Sequence, residues 1–431
     1  MKQDTRLITT DLTIIGSGLA GVAASTFALR RNIKTAQAGN TGALAYTTGY
    51  FDLLGSLKDD TGTGISDPWE GIRRLRETEP FHPLARIAEE DIRSSFEEFI
   101  TFLAECGITY GQPGDRNLNA LTPAGTLKKT LCVPATMQAG VDAFGRKARC
   151  AIIDFKGLKG FSSRQIVANL KSDWPHLRSE RIIFPDIEQS EIYPEVLARA
   201  LEVPDNRAKL ADAVKVVMAD AEVIGMPAIF GIHEPDKVMT DLQDRIGRPI
   251  FEIPTMPPSV PGIRLRELFE QVFPQKGLTL IPQQKILSVE LQSNSIQLDL
   301  KDNYGPIHIN SRAVILATGR FISGGLEAHM EGITEPLLSL PVTQPESRER
   351  WYRQQYMDRL GHEIHRTGIE VDEQFRPLDR GGKVVHQGLF GAGIILAHQD
   401  WIRGRCGAGI AVATAYKAVE AALSLLQSPA P

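Results

Sequence analysis

The chain has 431 residues, 42% of them hydrophobic and 23% charged, with a formal net charge of -4. That length calls for two or three domains, and the composition is globular rather than disordered or fibrous. The slight acidity speaks against a broad nucleic-acid face, whose affinity would come from clustered Lys and Arg. No stretch offers the roughly 20 uninterrupted apolar residues that span a bilayer. Residues 1–6 lack the charged-then-apolar layout of a signal peptide. The expectation is a cytoplasmic protein with no membrane span and no nucleic-acid partner. Cys106, Cys132, Cys150 and Cys406 form no C-x-x-C pair, which argues against an iron–sulfur cluster or structural zinc. They read as buried, reduced thiols. His362 and His365 lack a third ligand and read as surface residues, so no metal is expected.

In chain order, residues 12–15 form a short apolar run suited to a buried parallel strand. The turn Gly16-Ser17-Gly18-Leu19-Ala20-Gly21 follows at once. Residues 22–31 carry Ala, Leu and Phe without a breaker and read as a helix that Asn32 can close. Residues 33–38 read as a second strand. From about 57 to 260, helical segments mix with Pro-rich loops. Residues 87–106 have helical spacing, and 195–221 read as mostly helical, interrupted by Pro204. An amphipathic helix is expected at 262–273 and a strand at 278–281. Three alternating runs, 286–291, 295–300 and 306–310, are separated by turn residues and read as a β-meander. It leads into a buried strand at 313–317 that exits through Thr318-Gly319. A further insertion spans about 326–385. The chain closes with Gly391-Ala392-Gly393, a Gly-rich loop at 404–409 and a helix at about 410–426. No internal repeat is visible.

The spacing G-x-G-x-x-G means little alone, but here it joins a strand to a helix rich in small residues, the setting the motif requires. Gly16 permits the tight turn, Gly18 lets a phosphate approach the backbone, and Gly21 lets the helix lie on the strand. The helix N-terminus then faces the anion. Nicotinamide and flavin enzymes share this turn. The meander, the Thr318-Gly319 exit and the late Gly391-Ala392-Gly393 loop, in that order, favour flavin. One feature is missing. A dinucleotide site usually carries an acidic residue about 20 residues past the turn, on the adenosine ribose. Residues 22–51 contain none. Either the cofactor is FMN, which has no adenosine, or FAD binds with Gln37 or a backbone group on the ribose. The residues favour FMN slightly.

The fold expected is therefore α/β: a Rossmann-like flavin-binding domain of the two-dinucleotide-binding-domain type, with an inserted α+β cap or substrate domain. Its flavin-binding segments are placed at 1–56, 261–325 with the meander, and 386–431. The cap is placed at 57–260 and a second cap insertion at 326–385.

Four segments carry a resemblance. They are Gly16 to Gly21 with TTGYFDLL at 47–54; TPAGTL at 122–127; GMPAIFG at 225–231 with EIPTMPPSVPGIRL at 252–265; and Gly391-Ala392-Gly393 through Asp400 to Cys406-Gly407-Ala408-Gly409. In these the sequence resembles the B-subunit family of anaerobic glycerol-3-phosphate dehydrogenases. The proline run is the most specific part, since no general flavin fold demands it. Tyr50-Phe51 and Trp401-Ile402 depart from the family pattern. The resemblance implies a part in oxidising sn-glycerol 3-phosphate to dihydroxyacetone phosphate, with electrons passed to quinone. It also implies FMN, and assembly with a flavoprotein partner, the A subunit, and an iron–sulfur partner, the C subunit, that touches the membrane. A location at the inner face of the cell membrane would follow. Thr47, Thr48, Gly49, Thr318, Gly319, Gly391, Ala392, Gly393, Gly407, Ala408 and Gly409 join the first turn as expected cofactor-binding residues.

Oxidising a secondary alcohol on a flavin needs a base and cations for the phosphate. His398 is the best-placed base by sequence, and Arg264, Arg320, Arg403 and Arg405 adjoin cofactor-type loops. Because the A subunit of that family is itself a flavoprotein, substrate can react there, and no catalytic residue is assigned. The run from Pro254 to Pro261 reads as a rigid wall over the flavin or a face for the partner. Two other functions stay open: a stand-alone FAD-dependent oxidoreductase of the fumarate-reductase or amine-oxidase type, and a flavin-free structural subunit.

Overall fold

The computed structural model describes residues 5–39, 43–58, 64–187, 190–356 and 358–428. The chain divides into two compact units. One comprises Met1–Ala43, Asp52–Phe99 and Phe269–Pro431, the other Leu44–Phe51 and Ile100–Leu268.

The first unit is built on the strand Arg6–Ile15, whose inner residues Leu12, Thr13 and Ile14 are fully buried. It pairs in parallel with Thr35–Gly39 on one side and with Gly305–Leu316 on the other. Thr279–Pro282 extends the sheet beyond Thr35–Gly39. Beyond Gly305–Leu316 come Ser295–Asp302 and Ile286–Gln292, both antiparallel. Leu389–Gly391 adds a short parallel pairing to the inner end of Gly305–Leu316. The meander is present, but its third strand and the expected strand at 313–317 are one element. Ser311 and Arg312 do not interrupt it, because Ser311 turns its hydroxyl onto the Ala313 carbonyl and Arg312 lies on the exposed side. Its outer half alternates buried and exposed residues, while Ala313 to Leu316 are buried on both faces.

Two helices cover the inner end of this sheet. Leu19–Arg30 begins three residues earlier than expected and ends where Asn32 takes a left-handed conformation. It packs on Gly407–Gln427, and both helices are rich in buried small residues, among them Ala20, Ala24 and Ala28 on one and Ala411, Ala415 and Ala418 on the other. Among the described residues, Gly407–Gln427 is the one helix long and apolar enough to cross a membrane, yet more than half of its most apolar stretch is buried in this unit. Lys417 on it pairs with Asp91 at 2.8 Å. Within 326–385 lie two small antiparallel strand pairs, Glu327–Ala328 with Ile333–Thr334 and Val342–Thr343 with Gly368–Ile369.

The second unit has a parallel sheet of its own, in the order Leu177–Ile182, Cys150–Phe155, Val223–Pro227, Ile250–Ile253. The expected α+β character is thus refined: the main sheet is wholly parallel, with the hairpin Leu118–Leu121 and Leu127–Thr130 beside it. Cys150–Phe155 and Val223–Pro227 are buried throughout, as strands covered by helices on both faces must be. Pro204 does not merely interrupt the helical stretch. Pro194–Ala200 and Pro204–Val217 each open on a proline, where the missing N–H costs nothing.

The units do not follow the expected boundaries at 57 and 260. Residues 52–99 belong to the first unit, while 44–51 and 261–268 belong to the second. Pro68–Thr78 is an amphipathic helix like those further on, so composition does not mark the change.

Candidate flavin site

The glycine turn leaves the central strand of the first unit at Gly16, whose φ of +132° suits glycine. A Cβ there would lie 2.2 Å from the Ala317 carbonyl oxygen. The exit of Gly305–Leu316 therefore rests directly on the turn, and the Ala317 N–H donates to the Ile15 carbonyl at 2.8 Å. At Gly21, a Cβ would lie 2.0 Å from the Gly16 carbonyl oxygen, so the helix sits tight on the turn. Gly18 differs, with nothing within 4 Å of where its Cβ would be. No side chain caps the helix that starts at Leu19. The first N–H groups of a helix have no partner within it, so Leu19, Ala20 and Gly21 offer donors and the positive dipole end beside open space. That combination fits a phosphate.

The third return arrives at the same place. A Cβ on Gly393 would lie 2.6 Å from the Ala20 side chain. The backbone donors of this loop are already used: Gly391 donates to Phe375, Ala392 to Leu316, and Gly393 to the Thr414 hydroxyl at 2.8 Å. The loop offers a surface and no anion-binding amides. Gly407, Ala408 and Gly409 start the last helix, also without a side-chain cap, and Gly409 gives its N–H to the Asp52 carbonyl. Thr318 contributes something the sequence could not show. Its hydroxyl is buried and has no hydrogen-bond partner, which is costly unless a ligand or water meets it. Gly319 beside it has φ +68°.

Gln37 is not available for a ribose. Its amide is buried and donates to the Gly16 carbonyl at 2.9 Å, bracing the turn from below. The last residue of that strand is Gly39, where a Cβ would come within 2.6 Å of the Ser17 nitrogen. Backbone therefore packs where an acidic side chain would stand at the strand end. Thr47, Thr48 and Gly49 fall in the second unit. There the Gly49 carbonyl accepts from the Tyr110 hydroxyl at 2.8 Å, the Thr47 carbonyl accepts from Ser259, and Thr48 accepts from the Tyr50 N–H.

The four candidate arginines separate sharply. Arg264 is corrected to a structural role in the second unit. It is 3% exposed and forms a two-pronged pair with Glu252 at 2.7 Å on each prong, with its Nε donating to the Gly231 carbonyl. Glu252 also accepts from the Phe230 N–H and the Thr136 hydroxyl, so the charge of Arg264 is already met by a carboxylate that is itself held in place. Arg320 is buried in the first unit and meets only carbonyls, those of His365, Leu396 and Gln399. Burial pulls its pKa down to about 10, against the attraction of Asp400. It straps the 394–400 loop to the Thr318-Gly319 return. Arg403 and Arg405 are more exposed, and Arg405 is in a left-handed conformation.

His398 is also held in a left-handed conformation, at φ +64°. Its Nε2 bonds the Glu370 carboxylate, its N–H donates to the Arg366 carbonyl, and Phe81 lies 5.5 Å from its ring. The hydrogen bond from His398 holds Glu370 below the usual carboxylate range. Nδ1 of His398 has no partner among the described residues. Sequence pointed to His398, but not to Glu370, which the bridge between Ile369 and Leu396 brings near. His362 and His365 have separate partners: His362 bonds the Tyr356 carbonyl at 2.9 Å, and His365 meets Asp400 at 3.3 Å. Cys132, Cys150 and Cys406 are buried thiols whose pKa burial raises, and Cys106 is partly exposed.

A parallel sheet whose central strand ends in an open glycine turn, met by two later returns, defines a flavin-dependent oxidoreductase fold. The chain belongs to the FAD binding domain family, whose model matches residues 11–410. More particularly, it is similar to the B subunit of anaerobic glycerol-3-phosphate dehydrogenase from Vibrio vulnificus (strain YJ016), at 28% identity over 97% of each chain. The same-named protein of Pectobacterium atrosepticum is 29% identical over 95% of this chain and 97% of that one. Among solved structures, a 3-ketosteroid Δ1-dehydrogenase from Sterolibacterium denitrificans matches with a TM-score of 0.44 at 10% identity. It covers 96% of this chain and 100% of that one, a likeness too loose to bear on function.

Proposed function

We propose that this chain is the B subunit of an anaerobic glycerol-3-phosphate dehydrogenase. It would contribute to oxidising sn-glycerol 3-phosphate to dihydroxyacetone phosphate, with electrons passed to quinone. In this reading it assembles with a flavoprotein A subunit and an iron–sulfur C subunit, at the inner face of the membrane. The observation that carries it is the meeting of Ala317 and Gly393 with the open turn at Gly16 to Ala20, in a chain that matches the B subunits almost end to end.

The flavin we propose is FMN. Its phosphate would rest on the amides of Leu19, Ala20 and Gly21 above Gly18. Ser17, Thr318, Gly319, Gly391, Ala392, Gly393, Gly407, Ala408 and Gly409 would surround the remainder. Thr47, Thr48 and Gly49 are proposed as further contacts on the resemblance alone. A bound flavin would supply hydride and single-electron transfer. The chain's own residues hold and orient it: helix-end amides neutralise phosphate charge, the Thr318 hydroxyl supplies an unused polar contact, and Arg320 keeps positive charge nearby. The packing of Gly39 on Ser17 supports FMN over FAD, because no carboxylate stands at the end of the second strand for an adenosine ribose.

The test is the absorption spectrum of the purified chain, followed by chromatography of the released cofactor. FMN at close to one per chain is expected, with bleaching on addition of sn-glycerol 3-phosphate once the flavoprotein partner is present. Release of FAD would overturn the cofactor assignment. A colourless protein that refuses added FMN and FAD would overturn the function.

A further inference from the structure

The first unit exposes a group of large apolar side chains that its own fold does not require: Tyr352, Tyr356, Leu360, Trp401 and Ile402 are 37–85% exposed. They are neighbours. The His362 ring lies 5.9 Å from Tyr352 and 6.4 Å from Tyr356. The Tyr356 carbonyl accepts from His362 and, at 3.5 Å, from Arg403. Next to Leu360, a Cβ on Gly361 would lie 3.2 Å from Arg403, which joins this loop to the Trp401–Gly404 helix. Isolated exposed apolar residues are ordinary, but five gathered on two adjoining segments are a candidate interaction site. Tyr, Trp and Arg are the residues that dominate binding energy at protein interfaces, where Lys is depleted. Residues 346–366 contain five arginines and no lysine.

Charge indicates what covers the patch. Glu346 and Glu363 pair with Arg350, Asp358 with Arg353, and Asp400 with His365. Among the described residues, that leaves Arg348, Arg403 and Arg405 without a carboxylate within ion-pair distance, against one exposed carboxylate, Glu349, with no cation. The face is apolar at its centre with net positive charge around it, and it fits a partner whose contact surface is apolar and acidic. The exposed carboxylates Glu346 and Glu349 disfavour an anionic lipid surface, and the patch is not a lysine-rich one of the kind such surfaces attract. Its location suggests which partner. The Trp401 ring lies 3.2 Å from where a Cβ on Gly407 would be, at the start of a helix assigned above to the flavin site.

We infer that this face docks the protein that takes electrons from the flavin, the iron–sulfur member of the proposed complex, through an apolar, acid-rimmed surface on that partner. The inference rests on the function proposed above. Tyr356→Glu and Ile402→Glu, singly and together, place a carboxylate on exposed positions of the patch. Leu287→Glu, 65% exposed on the meander, is the control. Each chain is co-expressed with an affinity-tagged iron–sulfur partner, and co-purification, dissociation constant and flavin absorbance per chain are measured. The double variant should bind about a hundredfold more weakly, as loss of two central anchors implies, with flavin content and the Leu287→Glu control unchanged. Undiminished binding by a flavin-loaded double variant overturns the docking face while leaving the proposed function standing. So does binding to phosphatidylglycerol vesicles that the double substitution abolishes while pairing with the iron–sulfur protein persists. If the unsubstituted chain neither holds flavin nor pairs with that protein, the proposed function itself falls, and this face with it.

Discussion

Arg264 and Arg320 are both almost wholly buried guanidiniums, one in each unit, and their surroundings are opposite. Arg264 is matched by Glu252 on two prongs and by a carbonyl on the third. Arg320 has three carbonyls and no carboxylate in contact. Removing a charge from water costs several kcal/mol unless a counter-charge and hydrogen bonds offset it. The second unit has met that cost internally, so its arginine holds a loop and a strand together. The first unit has left it partly unmet, beside the return that ends in the unsatisfied Thr318 hydroxyl. A buried cation with no carboxylate in contact, three residues past Ala317, whose carbonyl rests on the glycine turn, is what a site for an anionic cofactor needs. The same residue type is structural where its partner is in the fold, and a candidate for function where it is not.

The contrast can be broken first at the turn. Gly16→Val would drive a side chain into the Ala317 carbonyl and require a φ that Val rarely adopts. Loss of flavin and of most soluble protein is expected. Gly18→Val meets only open space, so it should fold with the melting temperature of the flavin-free parent chain yet lose flavin absorbance. If both variants retain the cofactor, the phosphate does not sit there.

Next in size is the saturated pair. Glu252→Ala strands Arg264 in the interior and should cost about 3–5 kcal/mol in urea unfolding of the second unit. A loss under about 1 kcal/mol would show that the pair is not an anchor.

The first unit should also respond to acid. Burial holds His82 neutral, lowering its pKa from 6.5 to about 4 against the pull of Glu79, with Arg366, His398 and Lys58 acting in the same direction as burial. The folded value lies below the unfolded one, so this stability is intact above pH 6.5. It is lost as the pH falls from there toward 4, by about 3 kcal/mol in all. Glu370 adds to the loss at lower pH, since a depressed carboxylate pKa stabilises only above its unfolded value. His82→Asn keeps an acceptor for the Leu84 N–H, and should flatten melting temperature against pH between 6.5 and 4. An unchanged slope would assign the dependence elsewhere.

The smallest effect on stability, and the sharpest test of the comparison, is Arg320→Met. The carbonyls it bonds lie on loops that other contacts also hold, so a change of about 1–2 kcal/mol is expected. The flavin midpoint potential should fall, because positive charge that favours the reduced anion is removed. An unaltered potential in a redox titration would return Arg320 to a purely structural role.

What could be read in the residues was mostly local. The run at 12–15, the three spaced glycines and the small-residue helix after them form one short stretch whose geometry follows from backbone sterics, so the turn was visible before any fold. The meander was visible because its strands alternate and its turn residues are distinctive. Whether Ser311 and Arg312 break a strand was not visible, since that depends on the neighbours that accept their side chains. The role of Gln37 depended in the same way on the carbonyl above it.

The sequence by itself determined the strand, turn and helix on which the flavin site is proposed, because glycines at 16, 18 and 21 set that geometry from backbone alone. The tertiary structure decided which charges are available. Glu252 lies 12 residues from Arg264 and cancels it, while among the described residues no acidic side chain hydrogen-bonds Arg320, although acidic residues lie on either side of it in the chain. Electrostatic pairing is set by distance through space and by exclusion of water, and neither is written in residue order.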